Sequence, residues 1–143
     1  MAITSAICST FKQELLKGTH DFDGGATYKI ALYTSGASMG ASTTAYSTSS
    51  EASGTGYTAA GETLTSPAVA LSSTTAYIDF ANATWSSASF TANGALIYRS
   101  DGSAPTNDAV CVIAFGGDYT ATNGTFTVQF PAPAASTAIL RLS

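Results

Sequence analysis

Over the first twenty residues the apolar positions recur at helical spacing. In the stretch CSTFKQELLKGTHDF, residues 8 to 22, Phe11, Leu15 and the neighbouring Leu16 fall on one side, while Lys12, Gln13 and Lys17 face elsewhere. That period predicts a helix of about two turns. Ser9 or Thr10 is placed to cap it, Gln13 follows Thr10 at capping-box distance, and Gly18 is the C-terminal stop. The apolar stripe must dock either on the chain's own domain or on a partner.

After His20-Asp21-Phe22-Asp23-Gly24-Gly25 the period drops to two and stays there. In YKIALYT (28 to 34), Tyr28, Ile30 and Leu32 share one face and Lys29, Ala31 and Tyr33 the other. AYIDF (76 to 80), ATW (83 to 85), GALIYRS (94 to 100), AVCVIAF (109 to 115), TFTVQF (125 to 130) and TAILRL (137 to 142) are predicted as further strands. Between them stand Asn93-Gly94, Asp101-Gly102, Gly116-Gly117-Asp118 and Asn123-Gly124, all tolerant of positive φ and predicted as reversals. Short strands separated by such signals give a mainly β fold, an antiparallel β-sandwich with one short N-terminal helix, of which the jelly roll is an eight-stranded form.

The stretch from 37 to 67, ASMGASTTAYSTSSEASGTGYTAAGETLTSP, is built almost wholly of small residues. A flexible linker would be rich in Gly and Ser and poor in aromatics, and Tyr46 and Tyr57 argue against that. TAYST, TGYTAAGETLTS and the following AVALS have strand-like spacing, with Gly54-Thr55-Gly56 and Gly61-Glu62 as bends or bulges and Pro67 as an edge mark. The expectation is an ordered long loop with edge strands, on the same domain as the rest.

Composition supports one domain with a thin core. The chain has 143 residues, the size of a single domain. Leu, Ile, Val and Phe number 26, roughly 18% and near the disorder threshold, but that signature also requires high net charge, and here the charge is only -4. Ala, Ser and Thr supply 67 residues, so little side-chain entropy is lost on folding. The five basic residues, Lys12, Lys17, Lys29, Arg99 and Arg141, are scattered; no basic stripe exists, which argues against nucleic acid as a partner. A sparsely charged exterior rich in Ser and Thr suits close apposition to other proteins. Cys8 and Cys111 read as small hydrophobes, no 18-residue apolar stretch suggests a membrane, and no signal peptide is evident, so folding in a reducing cytoplasm is expected. The sequons at Asn82 and Asn123 read as turns.

Candidate chemistry is sparse. Gly36-Ala37-Ser38-Met39-Gly40 matches the nucleophile-elbow pattern, but no helix follows and the lone histidine, His20, precedes the serine. His20, Asp21 and Asp23 could surround a cation, yet the calcium-loop pattern lacks its closing glutamate, and a solvated turn is the expectation. Glu51 and Glu62 have no acid partner nearby in sequence. Trp85 and the seven tyrosines are expected in core and edge positions. No catalytic residue, metal or cofactor is assigned.

STFKQELLKGTHDF, the segment from Tyr28 to Pro67, and GALIYRSDGS together resemble a family of small virion structural proteins of tailed bacteriophages. That family has an F-K-x-E-L-L-x-G-x-H opening, a K-x-A-L-Y strand and an A-Y-x-x-x-x-E-x-x-G-x-G-Y-T-A-x-G segment. Phe11, Lys12, Glu14, Leu15, Leu16, Gly18 and His20 match the first motif; Glu51, Gly54, Gly56, Tyr57, Thr58, Ala59 and Gly61 match the last. The resemblance covers about the first hundred residues and implies a capsid decoration, or cement, protein. Such a protein binds the outer surface of the assembled phage head, bridges major capsid protein subunits and is often trimeric. It would be made in the host cytoplasm and reside on the virion, with no nucleic acid and no membrane as partner. Residues 1–27 would form an arm docking on the capsid or on its own domain, and residues 28–143 the sandwich. Phe11, Leu15, Leu16, His20, Tyr46, Glu51 and Tyr57 are the candidate contacts. The alternative is a receptor-binding or fibre-tip domain presenting Trp85, Asp101 and Asp108 to a host glycan.

Overall fold

Among the described residues, eight strands and one helix follow in the order β1 (Ala6–Ile7), α1 (Ser9–Leu16), β2 (Tyr28–Tyr33), β3 (Glu62–Thr63), β4 (Ala68–Ser72), β5 (Thr75–Asp79), β6 (Ala83–Arg99), β7 (Ala109–Val128) and β8 (Leu140–Leu142). The structure, a computed structural model, describes residues 2–100, 107–134 and 136–142. It is mainly β: one antiparallel sheet has the order β1-β7-β6-β2-β3 and a second the order β4-β5-β8. The arrangement is sandwich-like, with eight strands as in a jelly roll, though its longest pairing, β6 with β7, is a simple hairpin.

The expected reversals at Asn93-Gly94, Gly116-Gly117-Asp118 and Asn123-Gly124 do not occur. β6 runs unbroken through Gly94, and β7 through the other two. The positive φ values at Gly116 (81°) and Asn123 (49°) serve irregularities in the ladder instead. The register jumps between Ala92↔Tyr119 and Gly94↔Ala114, so Asn93 alone faces Phe115 to Asp118, and its amide donates to Asp118 at 2.8 Å. A residue that tolerates positive φ fits a bulge as well as a turn. ATW and GALIYRS are thus one strand, as are AVCVIAF and TFTVQF. The Asp101-Gly102 signal lies outside the described residues.

The helix stands where its period places it, with a different cap. Cys8, with extended backbone, is the N-cap and makes no side-chain capping bond, so neither Ser9 nor Thr10 caps the helix. Gly18 does end it, at φ 75°: its N–H donates to Leu15 and that of Thr19 to Glu14, a Schellman closure. Phe11 is buried, but Leu16 is 91% exposed, so the expected stripe of Phe11, Leu15 and Leu16 divides between inside and outside.

β2 is buried on both faces. Tyr28, Ile30 and Leu32 pair with Arg99, Ile97 and Ala95 of β6 on the face packed by Phe22 and Phe80. Lys29, Ala31 and Tyr33 share the other face with Tyr98 and Leu96, where Tyr46 stacks on Tyr98 with ring centroids 4.8 Å apart. The arm therefore packs on one side and the long loop on the other.

Residues 37 to 67 are ordered against the sheet, although only Glu62–Thr63 forms a strand. AVALS just beyond forms β4 as expected, but the other expected edge strands are reduced to single bridges, Ala45↔Asp108, Tyr33↔Glu51 and Thr55↔Ser89. The loop does an edge strand's work. Ala52 N–H donates to the Leu32 carbonyl at 2.8 Å, Thr34 N–H donates to that of Ser50, and Tyr57 Oη accepts from Leu32 N–H at 2.9 Å. These bonds satisfy the outer backbone of β2 that would otherwise stand unpaired.

Candidate functional site

Three groups of residues could carry function: a buried polar cluster under the arm, a glutamate hub in the long loop, and an apolar face of the second sheet.

The polar cluster gathers Glu14 from α1, His20 from the turn after it, Arg99 from the end of β6 and Asp108 from the start of β7. His20 Nε2 lies 2.9 Å from Glu14 Oε2 and 3.0 Å from Asp108 Oδ2. Its Nδ1 is 3.1 Å from Tyr28 Oη, which also accepts Asp21 N–H at 3.2 Å. Arg99 Nε donates to Asp108 Oδ1 at 3.2 Å and its Nη1 to the Thr19 carbonyl at 2.7 Å. The rings of Phe11 and Phe22 pack on the imidazole. Burial raises the Glu14 pKa, and the neighbouring Asp108 adds to this, while the His20 hydrogen bond opposes it. Asp21 and Asp23 stay exposed, with Asp21 Oδ1 accepting Asp23 N–H, as expected of a solvated turn. His20 turns away from them toward two acids that are remote or on the helix. Among the described residues Glu14, His20 and Asp108 are the one trio that brings ligand atoms within 4.8 Å of one another.

In the loop, Glu51 Oε1 accepts from Tyr57 Oη at 2.7 Å and from Ala60 N–H at 2.8 Å, and Oε2 accepts from Tyr46 Oη at 2.7 Å. Tyr98 Oη donates to the Ala60 carbonyl at 2.7 Å. Burial first, then the adjacent carboxylate, pushes the Tyr46 hydroxyl up to about 12 and Tyr57 further still. Gly61, at φ +81°, leaves no room for a side chain: a Cβ would stand 1.9 Å from the Ile30 carbonyl oxygen of β2. Glu51, Tyr57 and Gly61 of the central motif are thus folding devices that lay the loop on the sheet.

The third group is on the surface. In the second sheet Val69 and Leu71 face Ile78 and Ala76, which in turn face Leu140 and Leu142. Directly paired residues point to the same side, so one face of this sheet is wholly apolar. Its inner part meets Ile7, Phe11 and Leu15 across a groove of about 710 Å³. Its outer part is open: Val69 is 52%, Leu71 71% and Leu142 58% exposed, and Leu16 borders the same groove. Of the five large apolar side chains exposed among the described residues, four belong to this patch, and Tyr119 is the fifth.

Of the sequence-derived contact residues, Phe11 and His20 are buried, Tyr46, Glu51 and Tyr57 are half-buried in the hub, and Leu15 and Leu16 line the apolar groove. Trp85 is core, packed by Tyr57, Phe90 and Phe126. Asp108 is buried too, so neither is presented to a glycan as the fibre-tip reading requires; Asp101 lies outside the described residues. Ser38 is exposed and His20 is engaged elsewhere. Cys8 and Cys111 are buried and free. Sequence reasoning did not select Val69, Leu71 or Leu142, because the three-stranded register that aligns them joins residues about seventy positions apart. No helix among the described residues is long and apolar enough to cross a membrane. Comparison of the chain with protein-family models, with curated proteins and with solved structures finds no match.

Proposed function

We propose that this protein is a structural component of a phage head. It docks on the outside of the assembled capsid, as the decoration proteins it resembles do, and the apolar face of the β4-β5-β8 sheet is its docking surface. The observation that carries this reading is the collection of Leu16, Val69, Leu71 and Leu142, each more than half exposed, on one patch of an otherwise small-residue exterior. Such patches mark interaction sites. Completing the burial of these four side chains is worth about 5 kcal/mol at about 2 kcal/mol per fully buried side chain.

That sum is comparable with the low end of the entropy lost on association, about 4–15 kcal/mol. A single contact of this kind is weak, so attachment draws on several contacts presented together by a lattice. Binding to the assembled shell and not to free subunits then stabilises the shell by linkage. β4 is the edge of its sheet, and its unpaired backbone groups provide a second, directional element of recognition.

The test is co-sedimentation with expanded capsids stripped of the protein, comparing the native chain with a Val69→Lys/Leu71→Lys variant. Saturable binding at a fixed ratio to shell subunits, lost in the variant while its circular dichroism is unchanged, is the expected result. Absence of capsid binding by the native chain, or undiminished binding by the variant, overturns the function or the assigned surface respectively.

A further inference from the structure

The buried cluster beneath the arm has the geometry of a cation site. We propose that Glu14, His20 and Asp108 bind one first-row divalent ion of the Zn²⁺ class through Oε2, Nε2 and Oδ2. The ion would clamp helix α1 to the base of the β6–β7 hairpin.

The three atoms converge from the helix, the following turn and the start of β7, with Nε2 2.9 Å from Oε2 and 3.0 Å from Oδ2. Ligands about 2.0–2.2 Å from a tetrahedral Zn²⁺ stand about 3.3–3.5 Å from one another. The two separations from Nε2 are a few tenths of an ångström shorter than that, and the ligand atoms of all three residues lie within 4.8 Å of one another. Mixed imidazole and carboxylate donors suit Zn²⁺ and its neighbours in the series.

Orientation of the histidine points the same way. Nδ1 faces Tyr28 Oη, which is held by Asp21 N–H. In the tautomer with the ring proton on Nδ1, the Nε2 lone pair meets the two carboxylate oxygens at one point and can ligate an ion with them; in the other tautomer Nε2–H donates to Glu14. Asp108 Oδ2 supplies an independent sign. It is fully buried and, among the described residues, accepts no hydrogen bond of good geometry, although His20 Nε2 is only 3.0 Å away and Glu14 adjoins Asp108. A buried carboxylate oxygen left in that state costs on the order of 1–3 kcal/mol or more.

The outer contacts resemble those that orient metal ligands. Arg99 holds the other oxygen of Asp108 and is itself fixed by the Thr19 carbonyl, and Tyr28 fixes the imidazole ring. Arg99 pairs with one of the two carboxylates, that of Asp108. Glu14 is the most exposed of the three ligands.

A proton on His20 is the rival occupant, and the experiment separates the two. The full chain, freed of metal by chelator dialysis, is titrated with Co²⁺ and then Zn²⁺ while visible absorption and thermal midpoint are followed. Expected are one Co²⁺ per chain with the d–d bands of a tetrahedral nitrogen and oxygen site, displacement by Zn²⁺, and a midpoint raised by about 5–10 °C at saturating metal. Glu14→Gln, at the most exposed ligand, is expected to keep the fold and weaken Co²⁺ binding at least tenfold; His20→Gln is expected to abolish it. A folded protein with no d–d absorption, whose midpoint ignores Zn²⁺, overturns the proposal in favour of the proton. Binding that survives both substitutions, or that shows the near-ultraviolet charge-transfer band of a thiolate from Cys8 or Cys111, overturns it as well.

Discussion

Replacing Glu51 by alanine tests how the long loop is held. Its carboxylate accepts three hydrogen bonds of 2.7 to 2.8 Å, from Tyr46, Tyr57 and Ala60. Tyr57 Oη passes the constraint to Leu32 N–H of β2, and the Ala60 carbonyl passes it to Tyr98 of β6. A hydrogen bond to a charged group contributes about 1.5–3 kcal/mol. Glu51 is only half-buried and water replaces part of what is lost, so about 1 kcal/mol per bond, or about 3 kcal/mol in all, is the expected cost. Glu51→Gln keeps one acceptor but turns an amide donor toward another donor, for an expected loss of about 1.5–2 kcal/mol. Both losses are large fractions of the about 5–15 kcal/mol of a typical domain. Equilibrium urea unfolding gives the two values, and amide exchange at Leu32 reports whether the loop has lifted from β2. A Glu51→Ala variant within about 0.5 kcal/mol of the native chain, with Leu32 still protected, would refute the hub and leave the tyrosine packing to account for loop order.

Gly61→Ala forces a Cβ onto the Ile30 carbonyl at positive φ, and a loss of more than about 2 kcal/mol is expected from the thermal midpoint; an unchanged midpoint would mean that the loop is not seated on β2. Phe22→Ala removes a ring stacked 4.3 Å from Tyr28 and is expected to cost about 3–5 kcal/mol in urea unfolding, with an effect below about 1 kcal/mol contradicting the packing of the arm. Burial pushes the Cys8 thiol up to about 11 and Cys111 up to about 12, from 9.0. The unfolded chain releases these protons first. Stability from these groups is therefore intact below pH 9 and lost as pH rises toward 11 to 12. The urea midpoint should fall across that window, less steeply in Cys111→Ala; equal slopes would exclude Cys111 as a source.

The sequence by itself determined the class of several segments. Helical spacing around Phe11 and alternation in β2, β5 and the two halves of the long hairpin were legible because local backbone preference and side-chain periodicity act over a few residues. Gly18 as a helix stop was legible for the same reason, and Tyr46 and Tyr57 signalled that residues 37 to 67 are no tether. Only the tertiary structure decided the rest. Gly116 and Asn123 carry the same preference for positive φ whether the chain reverses or bulges, and the partner strand settles which. Phe11 and Leu16 are equally apolar, but only Phe11 meets the sheet. His20 finds Asp108, and β8 finds β5, across more than sixty residues of chain. Such meetings follow from the packing of whole elements, whose free energy is shared among many residues and written in no short stretch of sequence.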